Sequence, residues 1–574
     1  MDQKRLFLAI AISIVILVGF QLMMPRAPRP VATEQPADAP ITAPATPAQP
    51  AAVAPDAAAV PREVPRLPIA APRLSGSISL LGARIDDLVL RDYRETIEPN
   101  SPLVRLLEPR SDPQPYYVQF GWTAAEGTNP KLPGNDTLWT GSGEVAMGKA
   151  ATLTWDNGEG LTFEIDLSVD ANYMFTVQQR VRNATGAPVA LFPWSRIRRD
   201  YTPRTAGYYI LHEGLLGVLG GTLKEVTYSA AKSEGEKKGG VAFETATTGG
   251  WAGITDKYWL TALIPDPAHA VSASFRHVTE AGTDRYQVDF VAKDAVQVAP
   301  GAAAEGATRL FAGAKEVHLL DRYQSQEKIL NFDKAVDFGW FYFLTKPFFY
   351  ALDWLNSLFG NFGVAILVFT IFIKALFFPL ANKSYRSMSK MKLLAPKMTA
   401  LREEYKDDQQ KLQQAMMQLY KTEKVNPASG CLPILIQVPV FFSLYKVIFT
   451  TIEMRQAPFF GWIHDLSAVD PTNVFNLFGL LPFNPTAISP MLHLGAWPLM
   501  MGITMFLQQR LNPPPPDPVQ AKVFQWMPVI FTFMLANFPA GLVIYWSWNN
   551  LLTIGQQWLI MRQTHLDRPA AARV

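Results

Sequence analysis

In the run ILVFTIFIKALFFPL (366–380) one cation, Lys374, interrupts an otherwise uncharged apolar segment. A lysine near the centre of a membrane helix costs ~2.5–3.5 kcal/mol, so a charge kept there points to function, here the attraction of an anionic group. Snorkelling competes with that reading. Lys374 stands six residues from Leu380, roughly 9 Å along a helix, and its four-carbon stem covers much of that distance. Thr370, one turn earlier, shares the face and favours a polar stripe turned toward protein, although a hydroxyl bonded to a backbone carbonyl also accounts for it. Other apolar runs carry Gln437 and Ser443, then Thr532, then Tyr545, Ser547, Asn549 and Asn550. Each alone reads as interhelical glue worth ~0.6 kcal/mol. Together with Lys374, and with no acidic residue in these runs, they imply a wet cavity. A transporter or channel is the runner-up function, and the missing carboxylate argues against it, because ion-coupled sites place acids at membrane depth.

A second group lies in the loop 381–426. Met388, Met391, Leu394, Met398, Leu401 and Tyr405 recur at spacings of three and four, as do Leu412, Met416, Leu419 and Tyr420 after Lys406-Asp407-Asp408. The spacing predicts an amphipathic helical hairpin with a bend at Pro396. Five of the 18 methionines fall here, Met417 being the fifth, and a flexible thioether suits variable apolar partners. Two helices packing on each other explain the stripe at least as well. Ten basic against five acidic residues would draw the loop to anionic lipid headgroups or ribosomal RNA. Signatures of enzymes are absent: the chain has no GxxxxGK[ST], HExxH, GxSxG or full GxGxxG, hence no recognisable means of nucleotide hydrolysis, no cofactor motif and no metal motif. His212-Glu213 is the one pairing that invites a catalytic reading, and it reads better as polar surface. An envelope carbohydrate enzyme would need a convergent carboxylate pair.

The elements that must position these residues follow from block composition. The chain has 574 residues, 18% charged and 49% apolar, with 46 prolines, one cysteine and a net charge of +3. One cysteine excludes a disulfide framework and any multi-cysteine metal site, and the near-neutral balance argues against a DNA-binding protein. Residues 6–24 are 19 uncharged residues behind Lys4-Arg5, long enough for a span. Met23-Met24-Pro25-Arg26 offers no signal-peptide cleavage site, so residues 1–24 read as an anchor. Residues 25–68, rich in Pro and Ala, read as a semi-stiff spacer. A soluble, mostly β block follows at 69–335. Its signals are alternation in SGSISL and LTFEIDL, a hairpin at Asp156-Asn157-Gly158-Glu159-Gly160, continuation in YMFTVQQRVR, and a loop tip at EGEKKGG (234–240). The aromatic stretch 336–360, broken by Lys346-Pro347, reads as an interfacial helix. Further spans are expected at 362–380, 432–449, 492–507, 523–538 and 542–561, within a core of 361–565 and ahead of a tail of 566–574. Seventeen Lys and Arg lie in the N-terminus, the 381–426 and 508–522 loops and the segment from Arg562 onward, against Arg455 alone in the opposite short loops. The positive-inside rule then puts both termini in the cytoplasm and the β block outside, a compartment that suits a cysteine-free domain.

Three segments carry a resemblance. KVNPASGCLPILIQVPVFFSLYKVI (424–448), MRQAPFFGWIHDLSAVDP (454–471) and FQWMPVIFTFMLANFPAGLVIYW (524–546) closely resemble the YidC/Oxa/Alb family of bacterial membrane protein insertases. The spacer and external β block look like its Gram-negative form. The resemblance implies an α-helical membrane protein of six transmembrane helices, five forming the insertase core, plus a periplasmic all-β supersandwich. It implies a hydrophilic groove, open to cytoplasm and lipid, whose positive charge attracts polar or acidic parts of an incoming segment. That charge is an arginine in the family and falls here on Lys374, which keeps the charge but loses the bidentate fork. Thr370, Gln437, Phe441, Tyr545 and Trp546 match substrate-contacting positions, Tyr545-Trp546 standing where the family often has a tyrosine pair. Met388, Met391, Met398, Met416 and Met417 fall in the hairpin that receives clients. The implied partners are nascent inner-membrane proteins, the Sec translocon, a transiently bound ribosome and membrane lipids, with no cofactor.

Overall fold

The computed structural model describes residues 64–566 apart from 127–128, 208–210, 407, 424, 426–431, 490–491 and 513–517. The expected first span, most of the spacer, Cys431 and the tail beyond 566 lie outside the described residues. The chain divides into a β unit ending at Asp337, with residues 450–452, and a helical unit of residues 338–449 and 453 onward.

The β unit is built from a ten-stranded and a nine-stranded antiparallel sheet among the described residues. Strict alternation in Leu161–Val169 puts Leu161, Phe163, Ile165 and Leu167 on the buried face, as a half-buried strand requires. It pairs with Ala151–Asp156 across the expected hairpin, Asp156 opposite Thr162. The sheets face each other through Trp122 and Phe163, ring centroids 5.0 Å apart, and through Gln179 Nε2, which donates to the Gly121 carbonyl at 2.9 Å. The first strand, Arg66–Ala70, starts inside the expected spacer because Leu67 and Ile69 alternate into the core. EGEKKGG is not a loop tip. Its first four residues end helix α1 (Tyr228–Lys237), whose start is capped by Thr227 accepting from Ala230 N at 3.2 Å. Gly235 is what lets the helix lie on the sheet, since a Cβ there would be 2.9 Å from the His277 carbonyl. Helix α2 (Val317–Gln326) closes the unit.

The helical unit comprises α3 (Tyr342–Phe359), α4 (Phe362–Leu376), α5 (Phe378–Glu404), α6 (Gln409–Thr422), α7 (Leu432–Thr450), α8 (Ala496–Leu511), α9 (Pro518–Leu535) and α10 (Ala540–Leu566). Helix α10 packs against α4, α5 and α8. Gly502 permits close approach of α8 and α9, because a Cβ there would sit 2.0 Å from Thr532 Oγ1. Among the described residues no single helix is long and apolar enough to cross a membrane. Phe362–Leu376 and Phe378–Met391 reach that length together but are bent by 68°. The expected uninterrupted helix over 362–380 is thus corrected to a break at Phe377, where Pro379 lacks an N–H and its ring would meet the carbonyl of Ala375. Pro396, where the bend was expected, lies inside unbroken α5. Large apolar side chains remain exposed on every helix of this unit outside the hairpin, including Phe343, Phe372, Leu435, Ile503, Ile530 and Trp558. An apolar exterior of this extent suits acyl chains rather than water.

Candidate functional site

Helix α10 organises the candidate residues. Tyr545, Asn549 and Thr553 recur every four residues and therefore share one face. At one end of it Lys374 of α4, half-buried, donates from Nζ to Thr553 Oγ1 at 2.8 Å, and Thr553 donates in turn to the Asn549 carbonyl at 2.7 Å. Among the described residues no carboxylate pairs with Lys374, and α4, α7, α8, α9 and α10 contain no Asp or Glu at all. Thr370, one turn before it and buried, gives its hydroxyl proton to the Ile366 carbonyl at 2.6 Å. At the other end Gln437 of α7 donates to the Tyr545 hydroxyl, and Phe441 meets Trp546 edge-on, centroids 4.7 Å apart. The structure thus seats Lys374 and the Gln437–Tyr545 and Phe441–Trp546 pairs at two levels of α10, while Thr370 stays bonded within α4. Eight residues, about 12 Å of helix rise, separate them. Trp548 Nε1 to the Leu367 carbonyl at 3.1 Å fixes α10 on α4, and Asn550 Nδ2 to Thr504 Oγ1 at 3.2 Å fixes it on α8.

Sequence reasoning missed Thr553, although the four-residue spacing from Tyr545 through Asn549 was signal enough. It also passed over Lys446, a second lysine in an apolar run, half-buried in α7. Lys446 is close enough to Gly339 that a Cβ there would lie 2.7 Å from its Cε.

In the hairpin of α5 and α6, Leu394, Met398 and Val425 form a buried cluster against which Met391, Met416, Leu419 and Tyr420 pack. Met388 is half-buried and Met417 exposed. Three of the five methionines therefore lie in the seam between the two helices, and Met417 is the one presented outward.

The β unit holds a cleft of about 240 Å³ lined by Arg66, Arg84, Asp86, Asp87, Arg105 and Asp112 among others. Its carboxylates are engaged: Arg66 binds Asp86, and Arg105 binds Asp87 at 3.1 Å and Asp112 at 2.8 Å. A glycosidase pair needs carboxyls free for substrate. His212 Nε2 lies 3.1 Å from the Leu215 carbonyl, and Glu213 accepts from Ala206 N at 2.6 Å. Burial raises the Glu213 carboxyl above its ordinary value. Both side chains serve the local backbone.

Comparison with known proteins also divides the chain in two, at a boundary that falls within α3. A family model described as "YidC periplasmic domain" matches residues 66–351, and one described as "60Kd inner membrane protein" matches residues 354–567. The chain is 62% identical over 583 residues to the membrane protein insertase YidC of Granulibacter bethesdensis, covering 100% of both chains. It is 56% identical over 519 residues to that of Acidiphilium cryptum, covering 89% of this chain and 86% of the relative. It also matches a crystal structure of an active YidC insertase with its first transmembrane domain resolved, at 18% identity and a TM-score of 0.35, over 88% of this chain and 94% of that one. A helical region with an apolar exterior joined to a periplasmic β domain defines an inner-membrane protein of the insertase class. The chain belongs to the YidC family of membrane protein insertases, and its substrates are membrane proteins.

Proposed function

We propose that this insertase works through a half-depth hydrophilic groove walled by α4, α7 and α10, with Lys374 as its charge. The observation that carries the reading is an ammonium held by Thr553 at 2.8 Å with no counter-ion among helices that lack acids. Such a charge is left to attract the carboxylates and dipoles of an incoming segment. At 4 Å and an effective dielectric of ~20 that attraction is about 4 kcal/mol before desolvation. Moving the apolar part of a client into lipid is downhill, so the step needs no nucleotide and no covalent chemistry, and the protein is not an enzyme in that sense. The obstacle is the polar flank, and the groove shortens its path through low dielectric. Thr370, Gln437, Phe441, Tyr545 and Trp546 contact the client as it slides toward lipid. Short apolar helices beside the groove would thin the bilayer locally.

The proposed organisation is multi-pass: an anchor at 1–24, a spacer at 25–68, the β domain outside, an interfacial helix at 336–360, a core of 361–565 and both termini in the cytoplasm. The charge asymmetry of the short loops supports it. The hairpin over 381–426 receives clients through Met417 and its neighbours, while its excess of basic residues favours transient contact with the ribosome and with anionic lipids. The protein also chaperones folding, alone or beside the Sec translocon. Photo-crosslinkers at Thr370 and, as a control, at exposed Phe372 on the same helix test the groove during client insertion. The groove reading expects client adducts at Thr370 and lipid adducts at Phe372. Client adducts at Phe372 alone would overturn it.

A further inference from the structure

We propose that the loop 474–488, between α7 and α8, is a lipid anchor that rests in the headgroup–acyl boundary beside the N-terminal end of α8. From Pro471 to Gln509 the chain runs 39 residues without Asp, Glu, Lys or Arg. The loop holds Phe475, Leu477, Phe478, Leu480, Phe483 and Ile488 outward, Leu480 being 83% and Ile488 75% exposed. Its base is rigid. Buried Asp470 accepts from Trp462 Nε1 at 3.1 Å, Thr472 Oγ1 at 2.7 Å and Trp497 N at 2.9 Å, and Asn473 Nδ2 ties the two limbs by donating to the Leu492 carbonyl at 2.7 Å.

An apolar tip on a fixed stalk has several conceivable occupants, and three observations favour lipid. Three backbone donors at the tip of the loop are satisfied internally: Phe478 N bonds the Asn473 carbonyl at 2.8 Å, Leu481 N the Asn476 carbonyl at 3.1 Å, and Gly479 N Asn476 Oδ1 at 2.9 Å. That is what contact with hydrocarbon demands of irregular backbone, and it sets an interfacial rather than a central depth. Leu477 and Phe478 adopt left-handed φ of 51° and 59°, an unfavourable backbone for large side chains, and both side chains are nonetheless more than half exposed. Helix α8, which follows the loop in sequence, likewise exposes the large apolar side chains of Met500, Ile503 and Leu507.

The test uses full-length protein in phosphatidylethanolamine–phosphatidylglycerol vesicles. In a Cys431→Ser background, Leu480→Cys and Ile488→Cys carry an environment-sensitive fluorophore, with Asp294→Cys as a water-exposed control. The anchor predicts that lipids brominated near the headgroup quench the loop labels by more than half and the control not at all, while iodide quenches only the control. Iodide quenching of the loop labels equal to the control would overturn the proposal. So would shielding from both quenchers, which would place the loop against a second copy or another part of this chain.

Discussion

Thr553 does for Lys374 what a carboxylate would do elsewhere, with one difference: it orients the ammonium without neutralising it. Thr553→Val keeps the charge and removes the bond, about 1 kcal/mol, and should reduce insertion of clients with acidic tails roughly fivefold in a proteoliposome assay. Lys374→Met should reduce it further. The Gln437–Tyr545 bond gives a second residue-level expectation. Gln437→Leu leaves a buried hydroxyl without its donor, costing ~1–3 kcal/mol, and should lower the thermal midpoint in detergent. Adding Tyr545→Phe should recover most of that loss, since two apolar partners are nearly neutral where one orphan is not. Lys374, Thr370, Gln437 and Tyr545 stand out in the sequence because a polar group in an apolar run is an anomaly with few explanations. Thr553, in the middle of α10, was not singled out, because the four-residue spacing from Tyr545 through Asn549 was not followed one turn further.

Periodicity predicted the helices α5 and α6 well, but not their kinks. Two prolines in nearby sequence have opposite outcomes: Pro379 follows the break at Phe377, whereas Pro396 is accommodated within α5. Local sequence does not distinguish them, because a proline in a helix is tolerated where packing offsets the lost hydrogen bond. The segment 234–240 was misread for a related reason. Three glycines and four charges look like a loop until Gly235 is seen to be the point where the helix touches the sheet. Within the hairpin, Met398→Ala should cost about 2 kcal/mol and speed hydrogen exchange across α5 and α6. Met417→Ala should leave exchange unchanged and weaken client crosslinking. In the β unit the hairpin of Ala270–Glu280 and Thr283–Ala292 carries a pH dependence. Burial raises the Asp284 carboxyl, but bonds from Lys232 at 3.0 Å, Thr279 at 2.9 Å and His277 at 3.0 Å outweigh it and hold it below the ordinary carboxylate value. A depressed folded value contributes stability that is fully present above the unfolded pKa of ~3.9 and is lost as pH falls through the folded one. Asp284→Asn should therefore destabilise this hairpin at pH 7, by about 1 kcal/mol after solvent screening. Hydrogen exchange should show the difference from the parent closing as pH falls below ~4.

At the scale of the molecule, a mean hydropathy just above zero is the average of an apolar helical region, a Pro/Ala spacer and a polar β domain. A net charge of +3 likewise hides the partition of basic residues on which the proposed topology rests. The division into β and helical units was legible because composition changes abruptly near Phe338, the residue at which the two compact units separate. The pairing order within the two sheets was not, since alternation identifies strands without naming their neighbours. One measurement bears most directly on the account. Clients identical except for an acidic, neutral or basic translocated tail are inserted by the parent protein and by Lys374→Glu, with crosslinking to the Thr370 face as a check that the variant is folded. A groove charge predicts that reversal cuts insertion of the acidic tail at least tenfold, leaves the neutral one within about twofold and helps the basic one, consistent with attraction of several kcal/mol turned to repulsion. Equal effects on all three tails would contradict it and leave Lys374 a snorkelling lysine with no part in client recognition.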